Sequence, residues 1–551
     1  MSLKQTAITE IPEDTARVAK AVFKKGHRYL LLRDAFGEVF SSEDFRVLFH
    51  VEGRPAIDPA RLALITIIQF AENLSDERIA DAVRARIDLK YLLALPLDSA
   101  GFDASVLSEF RSRLIEGHAE QLLFERLLER FRAYGLLSVR GLQRTDATHV
   151  LAAVHALNRV NIVGETFRHT LNVLAVAAPA WLAEHGMPEW IRRYSERFNL
   201  TSAVPTSSQA KRDALLAEMG ADGLFLLQRL SSPGQPAWLW ELPAVAVLHQ
   251  VWLQNFTWTE GGLLRYRSVE DMPPSGQYIS SPYDVEARYG VKRGTSWVGY
   301  KVHLTEQCEP DLPMLITNVE TTPATTPDFN VVERIHQNLS ERHRLPARHL
   351  MDTGYLSSNH LVTQHNRHAV QLIGPARAPQ RWQAWAAKGF TADHFQIDWA
   401  GHTMVCPAGK VSARWADAFD HQNLPVVHVK WAKADCQVCP LKADCTTATR
   451  RSVMVQNQER HEALIRWRAW TTTTEFQGLY GKRAGIEGTM SLGVRSFGMR
   501  RSRYVGEAKT RLQHLMTAAA LNLIRVADHL AGCPRAITRV TAFERILSPA
   551  A

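Results

Sequence analysis

Three acids set the chemistry open to this chain: Asp146 within RTDATHV, Asp352 within LMDTGY and Glu487 within KRAGIEG. Cutting or joining a phosphodiester needs one oxygen activated as nucleophile and another stabilised as it leaves. Two divalent ions roughly 3.5–4 Å apart do both when carboxylates from separate elements hold them. Mg²⁺ suits such a site because it favours a few carboxylates completed by water and phosphate oxygens. Singly, acids of this kind are commonly caps, turns or salt-bridge partners. Asp146 stands out because a lone carboxylate on an apolar strand is costly unless it is paired or metal-bound. Tyr480, Arg483 and Glu487 lie at i, i+3 and i+7, so a helix would place all three on one face. There an Arg could hold a phosphate and a Tyr could stack on a DNA end; the alternative is an ordinary Arg–Glu pair beside a core Tyr.

The elements that must position these residues can be read from periodicity. Residues 16–135 have helical spacing, with Ser75 as an N-cap and a further amphipathic helix after Asp103-Ala104-Ser105. Arg84, Arg86, Arg111 and Arg113 on these short helices fit a helix-turn-helix DNA reader, or equally a supporting or dimerising bundle. LQRTDATHVLAAV reads as a buried strand carrying Asp146, and residues 165–265 return to helical periodicity. SWVGYKVHLTEQ and LPMLITNVETT then alternate as two antiparallel strands, and a helix fits FNVVERIHQNL. ARHLMDTGYLS ends a short strand on Asp352, a helix starts at Ser357-Ser358, and HAVQLIGPAR is one more strand. Strand with Asp, two strands, helix, strand with Asp, helix, strand is the order of a ribonuclease H-like α/β core. Residues 380–470, rich in Trp and Cys with short strand-like runs, interrupt it.

The 551 residues carry a net charge of +9, with 46% hydrophobic and 22% charged residues, which describes a globular protein with room for several domains. No run of eighteen apolar residues marks a transmembrane helix. The first residues, MSLKQTAITEIPEDTARV, lack the apolar block of a signal peptide, so cytoplasmic residence is expected. From Lys482 to Arg511 eight bases face two acids, Glu487 and Glu507, a strip that suits a nucleic-acid partner or a solvated helix.

TDATHV, MDTGY and YGKRAGIEG, in that order, resemble the three catalytic motifs of the DDE transposases of bacterial insertion sequences. RPAIDPARLALITIIQF, LSDERIADAVRARIDLKYLLALPL and DASVLSEFRSRL resemble the helical N-terminal domain of one large branch. The resemblance spans about residues 40–530 and implies that Asp146, Asp352 and Glu487 bind two Mg²⁺ (or Mn²⁺) ions. It places Tyr480 and Arg483 at the remaining signature positions, with DNA as their partner. Many relatives carry a Lys seven residues after the Glu; here Val494 stands there, and Arg495 or Arg500 is the candidate replacement, with Arg501 and Arg503 beside them. Glycines 485, 488 and 493 speak against one unbroken helix through this motif.

Of the six cysteines, Cys406, Cys436, Cys439 and Cys445 could give four thiolates to a tetrahedral Zn²⁺, with His402, His421 and His428 as competing ligands. Reduced buried or surface cysteines are the other reading, and Cys308 and Cys533 look unrelated. The expected architecture is a helical N-terminal domain (1–135), a catalytic core (136–164, 270–378 and 472–530), a helical insertion (165–269), a β-rich Cys/Trp insertion (379–471) and a tail (531–551). The expected activity is metal-dependent cleavage at transposon terminal inverted repeats, then attack of the freed 3′-hydroxyl on target DNA, by a homodimer on paired ends and without membrane involvement. A catalytically silent DNA-binding regulator derived from a transposase is the alternative, and a nuclease that cuts without joining is a third reading.

Overall fold

The computed structural model describes residues 2–3, 10–154, 157–198, 208–292, 294–377, 382–386, 388–534, 543 and 546. Most of the expected tail therefore lies outside the described residues. The chain divides into a larger unit (1–138, 147–326 and 488–551) and a smaller one (139–146 and 327–487). Strand β1 (Arg140–Leu151) contributes its first half to the smaller unit and its second half to the larger.

In the larger unit, seven helices from Glu13 to Ala133 precede β1. Asp58 caps Pro59–Ala71, whose apolar sequence is buried on nearly every side. Ser75 caps the next helix as expected, but that helix stops at Ala85 because Arg86 turns extended and bonds Glu72 and Asp88, so Ile87–Leu92 forms separately. The last long helix, Glu507–Leu530, shares one core with these helices and with the sheet: Phe70, Phe110 and Phe131 cluster with Leu515, Leu523, Val302 and Ile316. A second core joins the helices Arg159–Ala177, Gln209–Leu230 and Pro243–Asn255 through Phe167, Met219 and Trp252. This region is not wholly helical. It ends in a hairpin of β2 (Phe256–Trp258) and β3 (Leu264–Tyr266), which residues 165–265 had not signalled because three-residue strands carry too little alternation to register. β4 (Arg288–Lys292) and β6 (Ile316–Pro323) pair antiparallel with successive halves of β5 (Thr295–Gln307).

In the smaller unit, the first half of β1 pairs in parallel with β7 (Pro346–Leu350), and β7 in parallel with β8 (Gln371–Ile373). The sheet order is β4-β5-β1-β7-β8 with β6 also on β5, the mixed arrangement of a ribonuclease H-like core. Helix Val332–Glu341 precedes β7, and helix Ser358–His368, capped by Ser357, links β7 to β8. Beyond them, hairpin β9–β10 (Gln396–Asp398 and Thr403–Val405) and the antiparallel sheet β11–β12–β13 (Arg414–Phe419, Pro425–Lys430 and Ser452–Gln456) pack around buried Trp431. Helix Gln458–Trp470 leads from there to the segment carrying Glu487.

Candidate active site

Strand register brings the two aspartates together. Gln143 lies opposite His349 and Arg144 opposite Leu350, and each candidate aspartate is two residues beyond that last pair. Carried on beyond its last pair, the register would set Asp146, midway along β1, beside Asp352, just past the end of β7. Asp352 stands on the turn just past β7: its Oδ1 accepts the Gly354 backbone N–H at 2.6 Å. A Cβ at Gly354 would fall 2.9 Å from that oxygen and 3.5 Å from Oδ2 of Asp328, so glycine here leaves room for two carboxylates to approach one point.

Asp328 is thus a fourth acid at the site. Its short helical turn, Asp328–Val331, follows Pro327, and the local pattern in sequence reads only as a helix start. The fully buried Tyr355 reports the gathering: burial pushes its hydroxyl well above the ordinary phenol range, and Asp328, Asp146 and Asp352 push it further. Burial also raises Tyr480, against the pull of Arg483, with Asp352, Asp146 and Glu487 adding to the rise. The Tyr480 ring stacks on Phe476, with centroids 5.4 Å apart and planes 9° from parallel.

The signature segment forms helix Thr474–Gly481, a 3₁₀ turn at Lys482–Ala484 and helix Gly485–Ser496, which Gly488 and Gly493 do not interrupt. Tyr480, Arg483 and Glu487 therefore occupy three successive elements rather than one helix face. Arg483 still joins the acids: Nη2 lies 2.8 Å from Asp146 Oδ2 and Nη1 3.6 Å from Glu487 Oε1. Its side chain is 13% exposed against 71% for Glu487, and its buried Nε has no hydrogen-bond partner. Arg144, buried on β1, holds the turn by donating to the Lys482 carbonyl at 2.5 Å, and a Cβ at Gly485 would lie 2.1 Å from the same guanidinium.

Among the described residues, no three His, Cys, Asp or Glu side chains are gathered so as to hold a metal ion. The carboxylates nevertheless fit one chemically. Their oxygens are the hard donors that Mg²⁺ takes, and a guanidinium already stands as the positive charge between Asp146 and Glu487.

Cys406, Cys436, Cys439 and Cys445 line a single cavity of about 30 Å³ with Lys410, Trp431 and Arg451. Burial raises the Cys445 thiol, Arg451 opposes, and the three other cysteines add to the rise. Cys436 Sγ accepts the Arg451 backbone N–H at 3.4 Å.

The basic strip is divided in use. Arg495 and Arg501 are exposed, whereas Arg500 donates to Thr148 at 3.1 Å and Arg503 lies 4.8 Å over the Phe70 ring. These four belong to the larger unit. In the N-terminal helices Arg111 is buried against Asp76 at 2.5 Å and Arg86 binds Glu72 and Asp88, so both are tied up within the fold; Arg84 bonds Asp81 and Arg113 lies over Phe49.

Residues 405–527 match the family model described as a transposase DDE domain, and residues 17–113 match that of a transposase domain (DUF772). The first match includes the four cysteines, Tyr480, Arg483 and Glu487, and begins after Asp352. No curated protein matches the chain. No helix among the described residues is long and apolar enough to cross a membrane.

Proposed function

We propose that this chain, which the two domains it carries make a DDE transposase of the insertion-sequence kind, cuts DNA at the ends of its element and joins the freed 3′-hydroxyls to a new site. The observation that supports this is the register of β1 and β7, whose last pair, Arg144 and Leu350, lies two residues before each aspartate, together with Arg483, which lies against both Asp146 and Glu487. Asp146, Asp352 and Glu487 are the residues proposed to hold two Mg²⁺ or Mn²⁺ ions, which when bound supply Lewis-acid activation of the attacking oxygen and stabilisation of the leaving one. Asp328 is proposed as a further carboxylate of the site.

The chain's own groups do the rest. Arg483, released from Asp146 once other cations balance the acids, can turn both nitrogens of its fork to a phosphate. Tyr480 presents a ring that a terminal base can stack on. The exposed Arg495 and Arg501, with Arg500 behind them, fit phosphate contacts that position DNA without reading its sequence. A homodimer on paired terminal inverted repeats is part of the same proposal.

Joining separates this reading from a nuclease. A duplex carrying a flanking terminal repeat, already cut to leave its 3′-hydroxyl, should be transferred to plasmid DNA in Mg²⁺. Cutting of uncut ends without any joined product would favour the nuclease, and DNA binding without either would favour the silent regulator.

For the Cys/Trp insertion we propose a structural Zn²⁺ bound by Cys406, Cys436, Cys439 and Cys445, because all four border one cavity of about 30 Å³. The sulfurs would have to draw inward around the ion, with deprotonation reversing the raised state of Cys445.

A further inference from the structure

Beneath the aspartates runs a buried polar chain that the proposed chemistry does not use. Thr145 Oγ1 lies 2.7 Å from His349 Nε2, and His349 Nδ1 lies 2.8 Å from His336 Nε2. His336 Nδ1 lies 2.8 Å from Gln364 Oε1, and Gln364 Nε2 donates to Glu333 Oε2 at 2.5 Å. Thr145, His336, His349 and Gln364 are each 0% exposed. At the outer end Glu333 pairs with Arg367 and is 39% exposed.

The protons in this chain have only one arrangement. Glu333 as a carboxylate accepts, so Gln364 must turn its NH₂ outward and its carbonyl inward. That carbonyl can only accept, so His336 carries its proton on Nδ1. As neutral imidazole its Nε2 then accepts, which makes His349 donate from Nδ1 and accept at Nε2, and commits the Thr145 hydroxyl to donating. Burial keeps both rings neutral, holding His336 at about 4 and His349 well below the ordinary histidine range. The charged and titratable groups bearing on His336 are His368, Glu333 and His360, and on His349 it is His336. Glu333, at the surface, thus sets the direction of every bond back to Thr145.

Apolar side chains would fill the same space at less risk, since a buried network is tolerable only when each member is satisfied. Its placement suggests why it exists. Thr145 immediately precedes Asp146, and on a strand successive side chains point to opposite faces. His349 lies on β7 three residues before Asp352.

We propose that His336 and His349 are positioning residues, a one-way relay that anchors β1 and β7 from beneath and so fixes where Asp146 and Asp352 project. This rests on those aspartates being the metal-binding pair. The relay ties both strands to the helices Val332–Glu341 and Ser358–His368, so the carboxylates inherit the rigidity of four elements. Supporting shells of this kind around metal ligands are typically worth roughly 10–100-fold in metal affinity or activity.

The test uses the full-length protein and the metal alone. Histidine-labelled nitrogen spectra should include two rings protonated only at Nδ1 that are lost, one in each, in His336→Gln and His349→Asn. Glu333→Gln, at the partly exposed end of the relay, should let it reverse and move protons to Nε2. Mn²⁺ binding followed by electron paramagnetic resonance should weaken roughly tenfold or more in Thr145→Val and return in Thr145→Ser. Nε2-protonated rings in the wild type, or Thr145→Val binding Mn²⁺ as tightly as wild type, would overturn the proposal, as would a wild type that binds no Mn²⁺. A wild type that binds Mn²⁺ through an intact relay yet never cuts DNA would uphold the positioning role and sink the transposition reading instead.

Discussion

At the residue scale the deciding contact is Arg483 between Asp146 and Glu487. A guanidinium 2.8 Å from one carboxylate and 3.6 Å from the other offsets their mutual repulsion in a partly buried place. It occupies the carboxylates, and in the proposed reaction it would turn to a phosphate. Arg483→Gln should therefore separate two properties. Mn²⁺ should bind at least as tightly as in wild type, because a competing cation is gone, while end cleavage should drop roughly a hundredfold or more with the loss of transition-state charge stabilisation. A metal titration and a single-turnover cleavage assay on the same preparation check this. Loss of both together would make Arg483 a scaffold for the site rather than a phosphate ligand.

At the element scale, what could be read in advance was whatever is encoded locally. Asp146 was legible because a lone acid interrupts a β-branched apolar run, and Asp352 because strand, acid, glycine and helix cap follow one another within RHLMDTGYLSS. The last motif is not one helix, but the break falls at Lys482–Ala484, ahead of Gly485, and Gly488 and Gly493, which in sequence also speak against continuity, both lie inside the unbroken helix Gly485–Ser496. Asp328 was illegible: it looks like any helix start, and only the approach of Gly354 from another segment reveals it. The His336–His349 pair was equally hidden, since one sits at an apolar position of an amphipathic helix and the other inside a strand, and their hydrogen bond is tertiary. The Cys/Trp insertion lies between these cases, with its cysteines visible in sequence and their shared cavity visible only in the fold. If the four thiols hold zinc, the purified chain should carry about one Zn²⁺ per molecule, and a strong chelator should lower the melting temperature of the insertion. An unchanged melt and no bound zinc would leave four reduced cysteines packed around Trp431.

At the scale of the whole molecule, both units bury neutral histidines. Burial lowers His336 to about 4 in the smaller unit and His514 to about 3 in the larger, with His349 lowered as well. An unfolded histidine takes up its proton near pH 6.5, while these folded ones stay neutral well below that. Between about pH 6.5 and 4 the unfolded chain binds more protons, so stability falls as pH drops through that window and is flat above it. Thermal melts from pH 8 to 4.5 should show a plateau above pH 7 and a decline below about 6.5, amounting to roughly 1 kcal/mol per shifted ring for each pH unit. A melting temperature unchanged down to pH 5 would mean that these rings already carry charge in the folded state.

The most direct test of transposition by the carboxylate site is cleavage of a labelled duplex carrying the terminal repeats that flank this reading frame. Wild type should be compared with Asp146→Asn, Asp352→Asn and Glu487→Gln in Mg²⁺ and in Mn²⁺. Metal-dependent cuts at the repeat boundary should appear in wild type alone, with all three variants still binding the duplex. Cuts that persist in any of the three variants, or a wild type that binds the repeats at several salt concentrations and never cuts, would contradict the assignment of these residues as the catalytic site.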